Sequence, residues 1–195
     1  MPYDYTDAPP PQFDLVPHGT VATVVLHIRA GNVGEDGMLK RSKDGGCEML
    51  DCEFVIADGP YKGRKFWEYW ILEGTTSGHA KSADINRGTL KAILDSALGL
   101  KPDDVSPQTR SARTVSLKQF EGMTFIAKIG IEKGGTKNDG SGEWPDKNIL
   151  AGVITPDRKE WRPVEQPPPF NGGGAPSTAT PPSSTPPIAR PGWAS

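Results

Sequence analysis

Ser82-Ala-Asp-Ile-Asn-Arg-Gly-Thr-Leu-Lys-Ala-Ile-Leu-Asp-Ser-Ala-Leu98 is the stretch whose reading decides the fold. Leu90, Ile93, Leu94, Ala97 and Leu98 recur at i, i+3, i+4, i+7 and i+8, the spacing of one helix face. Gly99 suits a left-handed stop. Gly88, inside the pattern, costs about 1 kcal/mol relative to alanine. Outside this stretch the apolar residues mostly alternate, so one helix sits in a chain of strands.

Five strands are expected. Thr20 to Arg29 places Ala22, Val24, Leu26 and Ile28 on one side and His27 and Arg29 on the other. Glu48 to Ala57 sets Leu50, Cys52, Phe54 and Ile56 against Asp51 and Glu53. Asp58-Gly-Pro-Tyr-Lys-Gly63 is dense in turn formers. Arg64 to Leu72 is the third strand, and Glu73 to His79 a connection into the helix. Lys101 to Arg113 reads as a loop and Ser116 to Glu121 as a short helical turn capped by Ser116. Met123 to Glu132 and Asn148 to Ile154 complete the set. The order is β-β-β-α-β-β. A helix between the third and fourth of five strands is the topology of the OB barrel, so a mainly β, five-stranded OB-type fold is expected; other small α+β barrels share the order.

Residues 1–13, with Pro9-Pro10-Pro11, read as an arm, residues 14–164 as the domain, and 165–195 as a disordered Pro/Gly/Ser/Thr-rich tail. The full length is 195 residues, and a body of about 150 can bury a real core. Net charge is −2; setting aside Asp4, Asp7, Glu165 and Arg190 leaves 21 basic and 21 acidic residues in the body. Any polyanion role must therefore rest on where charge lies. Cys47 and Cys52, five strand positions apart, are roughly 16 Å distant and do not bridge. His18, His27 and His79 are scattered, so neither zinc nor another cofactor is expected. No apolar run approaches about 18 residues, and Met1 to Asp7 has no leader character, so a cytoplasmic protein without a membrane span is expected.

The P-loop, Gly-x-Ser-x-Gly and His-Glu-x-x-His patterns are missing, and the pairs Asp44/Glu48, Asp51/Glu53 and Asp103/Asp104 match the density of acids on any surface. The expectation is a non-enzyme. Two long glycine-rich loops frame the body: Gly31 to Gly46, carrying Lys40, Arg41 and Lys43, and Lys133 to Lys147, carrying Lys137 and Trp144. Lys62, Arg64 and Lys65 gather at the second turn, and Arg110 and Arg113 precede the fourth strand. Lysine and arginine populate any solvated loop, but several clusters on one barrel face would grip phosphates. Aromatic rings add base stacking. In Phe66-Trp-Glu-Tyr-Trp-Ile-Leu72 one face must be core. Glu68 favours Phe66 and Trp70 outside; Leu72 and the Tyr69 hydroxyl favour the reverse, and we take Trp67 and Tyr69 as outward. A strand lying between the first loop and the Lys133–Lys147 hairpin is the expected geometry.

The runs Leu39-Lys-Arg-Ser-Lys-Asp-Gly-Gly46, Glu48 to Trp67 with its Gly-Pro-Tyr-Lys-Gly-Arg turn, and Ile85-Asn-Arg-Gly-Thr-Leu-Lys-Ala-Ile-Leu94 resemble a phage and prophage family of unknown function. That family is grouped with OB-fold single-stranded DNA-binding proteins encoded beside phage replication and recombination genes. The resemblance covers about residues 19–155. It implies sequence-independent binding of single-stranded DNA in a bacterial host, with Lys40, Arg41, Lys43, Arg64 and Lys65 facing the DNA. The end Arg190-Pro-Gly-Trp-Ala-Ser195 lacks the acidic tip common in bacterial single-strand binders, so recruitment through an acidic tail does not carry over. Trp193 on a flexible spacer could instead dock replication or recombination proteins, and self-association is left open. The rival expectation is a protein-interaction or structural accessory module with no nucleic-acid role.

Overall fold

The computed structural model describes residues 14–137 and 140–166; the expected N-terminal arm and nearly all of the expected tail lie outside them. The elements are β1 (Thr20–Ile28), β2 (Lys40–Arg41), β3 (Cys47–Ile56), β4 (Lys65–Gly74), α1 (Ser77–Leu98), α2 (Pro107–Ala112), a 3-10 turn (Leu117–Phe120), β5 (Met123–Glu132) and β6 (Lys147–Val153). All pairings are antiparallel, in the order β2-β3-β1-β5-β6, with β4 on the other edge of β3. The architecture is a mostly β antiparallel sheet with one long helix between strands.

Alternation decides the inside. Val24, Leu26, Leu50, Cys52, Phe54, Phe66, Trp70, Phe125 and Ile129 are all buried. Phe54 is the centre: its ring stacks on Phe66 at 4.9 Å and meets Trp70 at 5.4 Å. Leu90, Ile93, Leu94 and Ala97 bring the apolar face of α1 into the same core.

Three local features differ from expectation. The helix starts at Ser77 rather than Ser82, because the Thr76 side chain accepts the His79 amide and caps five further residues. Its end is as expected: Gly99 adopts φ 68° and its amide returns to the Asp95 carbonyl. The 101–113 loop contains α2, with Ser106 as N-cap and a proline in its first turn. The first long loop carries β2, which pairs Lys40 with Met49 and Arg41 with Glu48, giving six strands instead of five.

The strand edges are closed by side chains. Asn86 Nδ2 and Arg87 Nη2, between two and three turns into α1, donate to the Ile71 and Leu72 carbonyls at 2.9 and 2.6 Å. Glu68 joins β4 to β6 by accepting from the Leu150 amide while its other oxygen takes the Trp70 indole N–H at 2.8 Å. This resolves the ambiguity of Glu68: it shares a side with Phe66 and Trp70, yet its carboxylate is satisfied at the junction.

Both cysteines are free and buried. Burial, with Glu68 and Asp51 nearby, pushes the Cys52 thiol pKa up. Cys52 should therefore resist a thiol reagent such as DTNB in the native protein and react fully in guanidinium. Rapid labelling of Cys52 without denaturant, read by mass spectrometry of the peptide, would contradict that packing.

Candidate nucleic-acid interface

The side of β4 turned away from the core carries Lys65, Trp67, Tyr69 and Ile71. Trp67 is 46 % and Tyr69 60 % exposed, whereas Phe66 and Trp70 are buried, as expected for this strand. Register then builds the rest of the face, because directly paired residues point the same way. Trp67 pairs with Glu53, which pairs in turn with His27 of β1; Tyr69 pairs with Asp51. Lys40 enters the same face from β2. Two large rings in mid-strand, open to solvent, are not core residues and need another reason to be there.

Each ring has a cation above it. The Arg29 guanidinium lies 5.7 Å from the Trp67 ring centre, and the Lys40 ammonium 5.5 Å from that of Tyr69. Acids then fix the cations. Glu53 accepts from Lys65 Nζ at 2.7 Å, Arg29 Nη2 at 2.8 Å and Trp67 Nε1 at 2.9 Å. Asp51 accepts from Lys40 Nζ at 3.3 Å, and Glu48 from Arg41 Nη2 at 2.6 Å. Asp51 was expected outside; it is on the outward side but buried, because β2 brings Lys40 onto it.

The hydrogen bond from Lys65, then those from Arg29 and Trp67, hold the Glu53 carboxyl at a pKa of about 2. Its folded value is below its ordinary one, so its stabilisation is complete above about pH 4.5 and fades as pH falls towards 2. Glu53→Gln should therefore be less stable than the natural chain at pH 7 and equally stable near pH 2. Urea unfolding at the two pH values tests this; a difference that persists at pH 2 would show that packing, not charge, underlies it.

The last hairpin is tightly built. A Cβ placed on Gly134 would lie 1.6 Å from the Trp144 carbonyl oxygen, so only glycine allows that approach. Trp144, 62 % exposed, carries the Lys137 ammonium 5.0 Å from its ring centre. Lys133 pairs with Asp146 at 2.6 Å, and Lys147 with Glu132 at 2.8 Å. The Lys133 hydrogen bond, then the Gly134 amide, lowers the Asp146 pKa. Lys147 is three strand positions from Leu150, which is bonded to Glu68, so the hairpin base lies along β6 roughly 10 Å from that junction.

Of the nine candidate cations, Lys40, Arg41, Lys65, Lys133 and Lys147 have acid partners. Lys43, Lys62, Arg64 and Lys137 have none among the described residues. Arg113, from the fourth basic cluster, faces inward: its Nε meets Asp95 Oδ1 at 2.7 Å and its guanidinium closes the 101–104 turn. Arg29 and the three acids Glu48, Asp51 and Glu53 were not among the expected site residues, although strand parity already placed Arg29 and Glu53 outward.

No protein-family model matches this chain, and no curated protein matches it. Among the described residues no cluster of His, Cys, Asp and Glu could hold a metal ion, and no helix is long and apolar enough to cross a membrane.

Proposed function

We propose that this chain binds single-stranded DNA without reading its sequence, on the outer face of an OB-type barrel, in phage or prophage replication or recombination. The observation that carries the reading is the pair Trp67 and Tyr69, exposed side by side in mid-strand with Arg29 and Lys40 over their rings. Aromatic platforms with adjacent cations accept any base, because every base has a π face. The Glu68 link between β4 and β6 supports a closed barrel, and the helix position supports the OB order. The phage affiliation rests on the motif runs at 39–46, 48–67 and 85–94. We take the role as binding rather than catalysis: Glu53, central to the face, has a pKa of about 2 and is a poor proton acceptor at neutral pH. For recruitment of replication or recombination proteins we propose the C-terminal tail, residues 165–195, with its isolated Trp193.

One observation favours the rival reading of a protein-interaction module. Five of the nine candidate cations are already neutralised by acids, and the charge of the body is balanced. Fluorescence anisotropy of a labelled 30-nucleotide oligo-dT at several salt concentrations, with a duplex of equal length as control, separates the two. Salt-sensitive binding that prefers the single strand supports DNA binding. No binding at low salt removes it in favour of the module.

A further inference from the structure

The pairing pattern says where phosphates can go. A lysine that already holds a carboxylate at about 3 Å gains little by exchanging it for a phosphate. An unpaired one gains the whole attraction and releases its counterions. The middle of the face is occupied by Asp51 and Glu53, which already hold Lys40, Lys65 and Arg29, so little cationic charge is free there for a phosphate. Its two ends are different, because the acids within the two turns, Asp44 and Asp58, are committed elsewhere.

At one end, the turn between β2 and β3 exposes Lys43. Its neighbour Asp44 is turned into the turn itself, taking the Ser42 hydroxyl at 2.6 Å and the Gly46 amide at 3.1 Å. At the other end, the turn between β3 and β4 carries Lys62 and Arg64. The acid there, Asp58, is held by the Thr23 amide and hydroxyl and by Arg162. Both ends are therefore left with uncompensated cations. β3, the ten-residue strand between them, spans roughly 30 Å. Trp67 and Tyr69 lie on its partner strand between the two ends.

We propose that the phosphate path runs along the β3–β4 hairpin, from Lys43 at one end to Lys62 and Arg64 at the other, with bases on Trp67 and Tyr69. It does not cross the sheet to the Lys133–Lys147 hairpin, whose two flanking lysines are already paired and whose remaining lysine, Lys137, lies over the Trp144 ring. This inference rests on the single-strand reading above. It also gives the central acids a use: they hold Lys40, Lys65 and Arg29, so that bases rather than phosphates meet the middle of the sheet.

The test is the slope of log affinity against log salt for the labelled 30-nucleotide oligo-dT and the full chain. Three variants are compared: Lys43→Ala, the double Lys62→Ala/Arg64→Ala, and the double Lys133→Ala/Lys147→Ala. The path predicts that the slope falls by about 0.7 for the first and about 1.4 for the second. The hairpin double variant should lose less than half of what the turn double loses. Equal or larger loss in the hairpin variant overturns the path, as does an unchanged slope in the two end variants. If the natural chain does not bind the oligonucleotide at low salt, the single-strand reading fails and the path with it. Binding that survives while the slopes disagree overturns the path alone.

Discussion

Replacing Trp67 and Tyr69 together by alanine should weaken oligo-dT binding by at least about thirty-fold, since each stacked ring contributes about 1–3 kcal/mol. Both rings are exposed, so thermal stability should shift little. That contrast makes the experiment informative. Their chain neighbours Phe66 and Trp70 are buried against Phe54, and alanine at either should cost about 3–5 kcal/mol of stability. Trp67→Phe keeps a stacking surface but loses the indole bond to Glu53, so it should retain most of the affinity. Full-strength binding by the Trp67→Ala/Tyr69→Ala protein would move the interface off β4 altogether.

A stability effect of the same size lies away from that face. Asp95 is wholly buried near the end of α1. Its two oxygens take Lys91 Nζ at 2.8 Å, one turn earlier, and Arg113 Nε at 2.7 Å, just beyond α2. Arg113 also donates to the Asp104 and Lys101 carbonyls, so one acid fixes the helix, the following loop and α2 together. Asp95→Ala leaves Arg113, itself largely buried, without its charge partner. Breaking a buried pair from one side costs about 3–5 kcal/mol. Urea unfolding should show that loss, and Arg113→Ala should show a similar one. The double variant should lose much less than the sum, because the second change removes a group already unpaired. A cost below about 1 kcal/mol for Asp95→Ala would mean that water replaces the carboxylate as the partner of Arg113.

The strands and the inward set of residues were legible in the sequence because a period of two leaves little choice once one face is apolar. The 64–72 strand was the hard case, since both faces carry aromatics. Glu68 pointed the wrong way as a clue: a carboxylate on a core-side position normally argues against burial, but here it serves the Leu150 amide across the β4–β6 junction. The five extra residues of α1 were hidden because Ser77, Gly78 and His79 are poor helix formers, and a cap at Thr76 outweighs their propensity. The candidate site was half legible. Clusters of lysine and arginine are visible in a sequence; their neutralisation is not, because Lys40 meets Asp51 and Lys65 meets Glu53 only through strand register. Arg113 shows the same limit from the other side, a basic residue near a strand that turns out to hold a buried acid.

Gln166 carries a practical consequence. Its side-chain oxygen accepts the Thr124 amide at 3.0 Å, and its nitrogen donates to the carbonyls of Thr124 and Ala97 at 2.7 and 3.1 Å. One amide group thus stands in for a missing strand beside the start of β5 and ties it to the end of α1. Shortening the chain at residue 164, where the composition changes, would strip partners from three backbone groups and expose a raw sheet edge to other molecules. A trimmed version intended for crystallisation should end beyond Gln166, and the shorter product should be the one that precipitates on storage.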